Sequence, residues 1–337
     1  RRGIETRAVV AGDDVEIVQP GAVLRGLSRR FKVDQHAQRV RGERATATIR
    51  HEAPAVERPD LYLFAMGIDR YTDPRMTLDS AASDAQAVIG AFQRQRGRLF
   101  QDVHVTFLRD GDATLEGVVA ALTQIAEQAR PQDLFVLYSA GHGGMVQCPR
   151  DAAPSYRLLT HRASLQSVRN LCVEALSMDR LTGLLRSIHA NKKLLILDAC
   201  QSGGAAQEEV LLAMSAARGA EEVDAIRRLA RSEGIAILAA SKESEYAREV
   251  PAPGHGVFTY ALLQGLSGMA AARGEETVSV FSLIGYVDRT LPALARRYAG
   301  GEQRASTSLQ GSDFPLYALR DGDEALVPAP ADPASTG

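Results

Sequence analysis

Cysteine is scarce in this chain of 337 residues, with only Cys148, Cys172 and Cys200 present. The number is odd and no pair has C-x-x-C spacing, which argues against a disulfide framework and a zinc site and favours a reducing cytoplasm. No apolar run approaches the roughly 20 residues of a membrane span, and the first residues lack the apolar region of a secretory signal. A chain beginning at Arg1 rather than Met reads as a fragment or a processed product. An excess of one charge sign is missing too: the formal net charge is −2. The overall field therefore gives no reason to expect nucleic acid or an anionic membrane as partner.

What is present falls into unlike parts. Residues 1–58 are Arg-rich, hold short alternating pieces such as residues 45–49 (ATATI), and are interrupted by Pro20, Gly21, Gly42 and Pro54. They read as a small β-rich or extended appendage, either regulatory or the remnant of an upstream domain. Residues 59–322 alternate apolar runs with amphipathic stripes. The runs LYLFAMGI (61–68), VHVTFL (103–108), LFVLY (134–138), LLIL (194–197) and IAILAA (235–240) read as buried strands. Helix stripes fall between them, for example Leu115, Val118, Val119, Leu122 and Ile125 after a cap at Asp112 or Thr114. The remainder predicts helices near 256–267 and 280–298, a terminal strand near 314–319, and a disordered tail over 323–337. The fold class expected is α/β, a mostly parallel sheet with helices on both faces. In such folds ligands sit at the carboxyl ends of the strands.

At those ends stand two reactive groups. LFVLYSAGHGG (134–144) and LLILDACQSGG (194–204) deliver His142 and Cys200 into small-residue turns at one sheet edge. A thiol of ordinary pKa near 8.5 is a weak nucleophile until an imidazole takes its proton. The pair thus reads as a Cys-His dyad for acyl transfer. The glycines around His142 leave backbone N–H groups uncrowded, so Gly143 and Cys200 are the candidate oxyanion donors. Asp198, two residues before Cys200 on a strand, shares its face. A carboxylate there opposes thiolate formation unless a cation compensates, and a substrate Arg or Lys would supply one.

These motifs, together with LYLFAMGIDRY (61–71), LDSAASDA (78–85), GHGVFTYALLQGLSG (254–268) and GSDFPL (311–316), resemble those of caspase-like peptidases. The likeness covers about residues 60 to 320. It implies a cysteine endopeptidase without cofactor, acting on a protein or peptide. In the metacaspase pattern Asp84 joins Asp198 in an acidic primary pocket, which implies cutting after Arg or Lys. Ala140 and Ala81 depart from that pattern, standing where metacaspases often carry a pocket Ser and a pocket Cys. Residues 145–175 hold only Asp151 and Glu174 as acids, too few for a calcium cluster, so no metal is expected. The stretch 205–233 falls where the family's linker lies. It offers Arg218, Arg227, Arg228 and Arg231 to self-cleavage, though Val223, Ile226, Leu229 and Ala230 suit an ordinary helix better. An activating protease or regulatory partner, and a bacterial stress, cell-death or antiphage cascade, follow from the resemblance alone. Two rivals remain: a noncatalytic caspase-like scaffold, and an unrelated ligand-binding domain whose GHGG turn (141–144) cradles phosphate without either of the usual glycine-rich fingerprints.

Overall fold

The structure, a computed structural model, describes residues 6–11, 14–17, 46–49, 58–200, 224, 227–231, 235–242 and 255–327. The chain divides into two compact units, Arg1–Glu57 and Arg58–Gly337. In the first, strands β1 (Thr6–Ala11), β2 (Asp14–Ile17) and β3 (Thr46–Ile49) pair antiparallel with β1 in the middle.

The second unit is built on β4 (Leu61–Gly67), β5 (Val103–Arg109), β6 (Leu134–Val146), β9 (Lys192–Cys200), β10 (Ala236–Lys242) and β12 (Gln303–Ser308). Their spatial order is β12-β10-β9-β6-β4-β5. All neighbours are parallel except the β10–β12 pair. Beyond the parallel zone the far end of β6 pairs antiparallel with β7 (Ser155–Leu158), which pairs with β8 (Leu176–Ser177).

Apolar residues fill both faces of these strands, as expected for a sheet covered on both sides. On one face Tyr62, Phe64, Phe135, Leu137, Leu195 and Leu197 bury against α2 (Leu115–Gln128) and α4 (Met178–Ser187). On the other, Leu63, Val136, Tyr138 and Ile196 meet α1 (Ala81–Gln93), α5 (Val257–Gln264) and α6 (Val280–Leu294). Burying one such side chain contributes roughly 1.5–3 kcal/mol. Thr114, rather than Asp112, caps α2 by accepting from the Gly117 N–H. The chain leaves β4 for β5 on one side, then returns across it to β6 on the other. A crevice therefore opens at the carboxyl ends of β4 and β6.

Several expectations need correction. β6 does not stop at Tyr138, nor β9 at Leu197: His142 and Cys200 lie within strands rather than in turns. The small residues after Tyr138 let β6 stay extended while it swaps neighbours from the parallel sheet to β7. The terminal strand forms as β13 (Pro315–Ala318), but it pairs with β11 (Thr277–Ser279) and not with the main sheet. β12 went unread because QRASTS has no apolar alternation. A short helix, α3 (Val168–Glu174), precedes β8. The disordered tail expected from residue 323 does not start there: Asp323 is buried, bonds Arg98 at 2.7 Å and opens a short 3-10 helix to Leu326. Residues 328–337 lie outside the described residues.

Cys148 and Cys172 form a disulfide, with Cα atoms 5.8 Å apart. Their separation of 24 residues gave no local signal, and only the β6–β7 hairpin brings α3 back beside them. The pair removes the premise on which a reducing cytoplasm was inferred. Among the described residues no helix is long and apolar enough to cross a membrane. In the 205–233 stretch, residues 227–231 are helical with Leu229 and Ala230 buried and Arg227, Arg228 and Arg231 exposed. Val223, Ile226 and Arg218 lie outside the described residues.

Candidate active site

Parallel pairing sets the central geometry. In the β6–β9 register His142 lies opposite Cys200 and Ala140 opposite Asp198. Adjacent strands are about 4.8 Å apart. The two candidate residues, distant in sequence, are thus immediate neighbours at the carboxyl edge of the sheet.

The segment following β4 orients the imidazole. The His142 backbone N–H donates to the Tyr71 hydroxyl at 2.8 Å, and the two rings lie 5.0 Å apart. Nε2 of His142 is 2.9 Å from the Met76 carbonyl oxygen. A carbonyl only accepts, so Nε2 carries the hydrogen, and in the neutral ring Nδ1 is the basic nitrogen. Gly141 sits at φ 155°, and a Cβ there would come within 2.7 Å of the Tyr71 hydroxyl. Gly141→Ala should displace this clamp and lower stability by about 1–3 kcal/mol, the usual cost of forcing extra volume into a packed interior. Denaturant melts of the variant and the parent check it.

Met76 is held in turn by Asp73, whose buried carboxylate binds Arg75 at 2.7 Å and accepts from the Ser164 hydroxyl and the Leu165 N–H, both at 3.0 Å. The hydrogen bonds of Arg75 hold Asp73 well below the usual carboxylate range. A depressed carboxyl stabilises the fold above its unfolded pKa of about 3.9, and the contribution is lost as pH falls below that value. Asp73→Ala should therefore lower stability at neutral pH by on the order of 2 kcal/mol, since the Leu165 N–H loses its partner. The deficit should shrink in acid, as read by denaturant melts at two pH values.

Gly143 faces Leu158 across the β6–β7 ladder. The Leu159 N–H donates to the His142 carbonyl at 2.9 Å, while the His142 N–H goes to Tyr71 instead of back across the ladder.

The two acids converge beside the amino end of α5. Gly67, whose Cβ would come within 2.6 Å of the Ala81 carbonyl oxygen, lets the first turn of α1 sit against the end of β4. That turn carries Asp84, 2 % exposed. One Asp84 oxygen accepts from the Gly256 N–H at 3.0 Å, and the other is 2.8 Å from His255 Nδ1. Asp198 accepts from the Thr259 hydroxyl at 2.8 Å. Since Thr259 spends its only hydrogen there, Tyr138 donates to Thr259 across their 2.6 Å contact. A Cβ on Gly256 would stand 3.0 Å from an Asp84 oxygen and 3.5 Å from an Asp198 oxygen, so both carboxyls line one small space. Desolvation, then the charge of Asp198, push Asp84 up to about 7 against the bonds from His255 and Gly256.

The structure thus brings His142 and Cys200 together in register, sets Gly143 beside them in chain, and brings Asp84 to Asp198 beside the amino end of α5. Sequence reasoning missed Tyr71, Met76, His255 and Thr259. Three of these lie in stretches already singled out, LYLFAMGIDRY and GHGVFT, but Met76 acts through its backbone, which leaves no mark in a sequence. Asp151 is taken up by Arg157 at 2.6 Å. Among the described residues no group of three or more His, Cys, Asp or Glu could hold a metal.

The sequence model of the caspase domain, a peptidase family, matches residues 63–311. The chain belongs to this caspase-domain peptidase family. The match runs from within β4 to just past β12 and includes His142, Cys200, Asp84 and Asp198. No curated protein matches the chain. A solved structure similar to this caspase-domain chain is that of protein GSU0716 from Geobacter sulfurreducens, at 20 % identity and a TM-score of 0.49, covering 75 % of this chain and 94 % of that one.

Proposed function

We propose that this caspase-domain protein is a cysteine endopeptidase that cuts after Arg or Lys. The register opposition of His142 and Cys200 at the carboxyl edge of the sheet is the observation that carries the reading. Cys200 attacks the peptide carbonyl, and His142 takes the thiol proton at Nδ1 and returns it to the leaving amine. The Met76 carbonyl holds the ring through Nε2. The N–H groups of Gly143 and Cys200 receive the oxyanion. Water then attacks the acyl-enzyme, with His142 as base, and the carboxylic acid leaves as Cys200 is regenerated. The step needs no metal or cofactor.

The pocket assignment is supported by charge. Two carboxyls lining one buried space repel each other and resist ionisation, and a guanidinium or ammonium relieves both penalties. A caspase-type pocket for Asp would need cations at these places, where this chain has Asp84 and Asp198. A role in a bacterial stress, cell-death or antiphage cascade, with an activating protease or partner, rests on the family resemblance.

A peptide library varied at the residue before the cut tests the proposal. Cleavage confined to Arg and Lys is the expected result, and cleavage after Asp would overturn the pocket assignment. Since Cys148 and Cys172 are bonded to each other, a thiol probe under non-reducing conditions should label Cys200 alone.

A further inference from the structure

The turn before α5 carries a titratable group for which the peptidase reading has no use. His255 places Nδ1 2.8 Å from an oxygen of Asp84, and the next residue, Gly256, donates its N–H to the other oxygen at 3.0 Å. Two consecutive residues thereby engage both oxygens of a carboxyl group that is almost fully buried. A carboxyl so placed, with a second one beside it, takes up a proton unless donors stabilise its charged form. Protonated, Asp84 would be neutral and would have no electrostatic attraction for a basic side chain.

We propose that His255 is a positioning residue of the primary pocket: its ring N–H keeps Asp84 ionised until the cation of an Arg or Lys substrate takes over that role. The inference rests on the basic-residue reading of the pocket. Among the described residues, the ionisable groups that face Asp84 are Asp198 from β9 and His255 from the turn before α5. Thr259 of α5 and Tyr138 of β6 serve Asp198 instead. Of the influences on Asp84, the His255 bond is the strongest one opposing burial. The substrate's cation favours the charged form of Asp84 in the same way, so binding on the acid side should release a proton from that carboxyl.

The test is KM for a peptide with Arg before the cut, followed from about pH 5.5 to about pH 9.5, with kcat recorded separately. In the intact enzyme KM should fall as pH rises, by about tenfold per unit on the acid side, and level off near neutrality. In His255→Ala that limb should move alkaline by about one unit, raising KM by about tenfold at pH 6 and about fivefold at pH 7, while kcat at saturation changes less than about threefold. His255→Asn, whose amide can still donate, should move the limb part of the way back, and it decides the matter if the alanine variant misfolds. A KM altered equally at every pH, or a limb that stays put, would overturn the role of His255 while leaving the pocket intact. Failure of the intact enzyme to cut after Arg or Lys at any pH would remove the pocket reading and this inference together.

Discussion

Cys200→Ala should abolish peptide cleavage, with a loss of on the order of 10⁴ or more in kcat, while the protein melts as the parent does. Among the described residues, the nearby carboxyls and imidazole already have partners. Asp84 and Asp198 are engaged by His255, Gly256 and Thr259, and His142 is held at Nε2 by the Met76 carbonyl. Removing one sulfur at the end of β9 leaves the buried sheet positions Leu194 to Leu197 untouched, so the loss should fall on catalysis rather than folding. The measurement is a progress curve at saturating peptide paired with a thermal melt. Retained cleavage in the variant would remove the dyad from the account.

The second large effect is expected at the pocket. Asp198→Ala should reduce kcat/KM for Arg and Lys peptides by on the order of a hundredfold to a thousandfold, the range for truncating one partner of a buried charged pair. It should also leave the Thr259 hydroxyl without its acceptor. Asp84→Asn should weaken the same substrates, yet act on stability in the opposite direction. A carboxyl raised to about 7 favours the fold in its neutral form. That stability is fully present below the unfolded pKa of about 3.9 and is lost as pH rises through about 7. The asparagine variant escapes this loss, so it should melt higher than the parent at pH 8, with an advantage that shrinks at pH 5 and is gone below about pH 4. Comparing kcat/KM with the two melts separates a pocket carboxylate, held ready at a cost in stability, from an ordinary residue of the first turn of α1.

Much of this could be read from the chain because the chemistry sits where apolar runs end. Continuous hydrophobic runs located β4, β6 and β9, and a parallel sheet places their ends together. The sequence could not say that His142 and Cys200 would be opposite each other, since register depends on how β6 packs across from β4 to β9. It also concealed the extension of β6 past Tyr138. SAGHGG has the composition of a turn, yet residues 139–142 stay paired with β9 and β7 supplies the partner from Gly143 onward. β12 is a polar edge strand, visible only through its pairing with β10. The cysteines misled for a related reason: Cys148 and Cys172 meet through the hairpin and α3, neither of which their spacing reveals. Asp84 was singled out through the family resemblance, whereas His255 and Thr259, which meet the two carboxyls, sit in a stretch whose apolar helical pattern hid its polar face.

The central claim, a Cys200 nucleophile served by a pocket for basic residues, is tested most directly with an electrophilic peptide. A peptidyl-arginyl acyloxymethyl ketone, incubated with the intact protein, should add once per chain, and peptide mapping should place the adduct on Cys200. The analogue ending in Asp should react far more slowly, and Asp198→Ala should slow the arginyl reagent. Faster reaction of the Asp reagent, or an adduct anywhere but Cys200, would contradict the account.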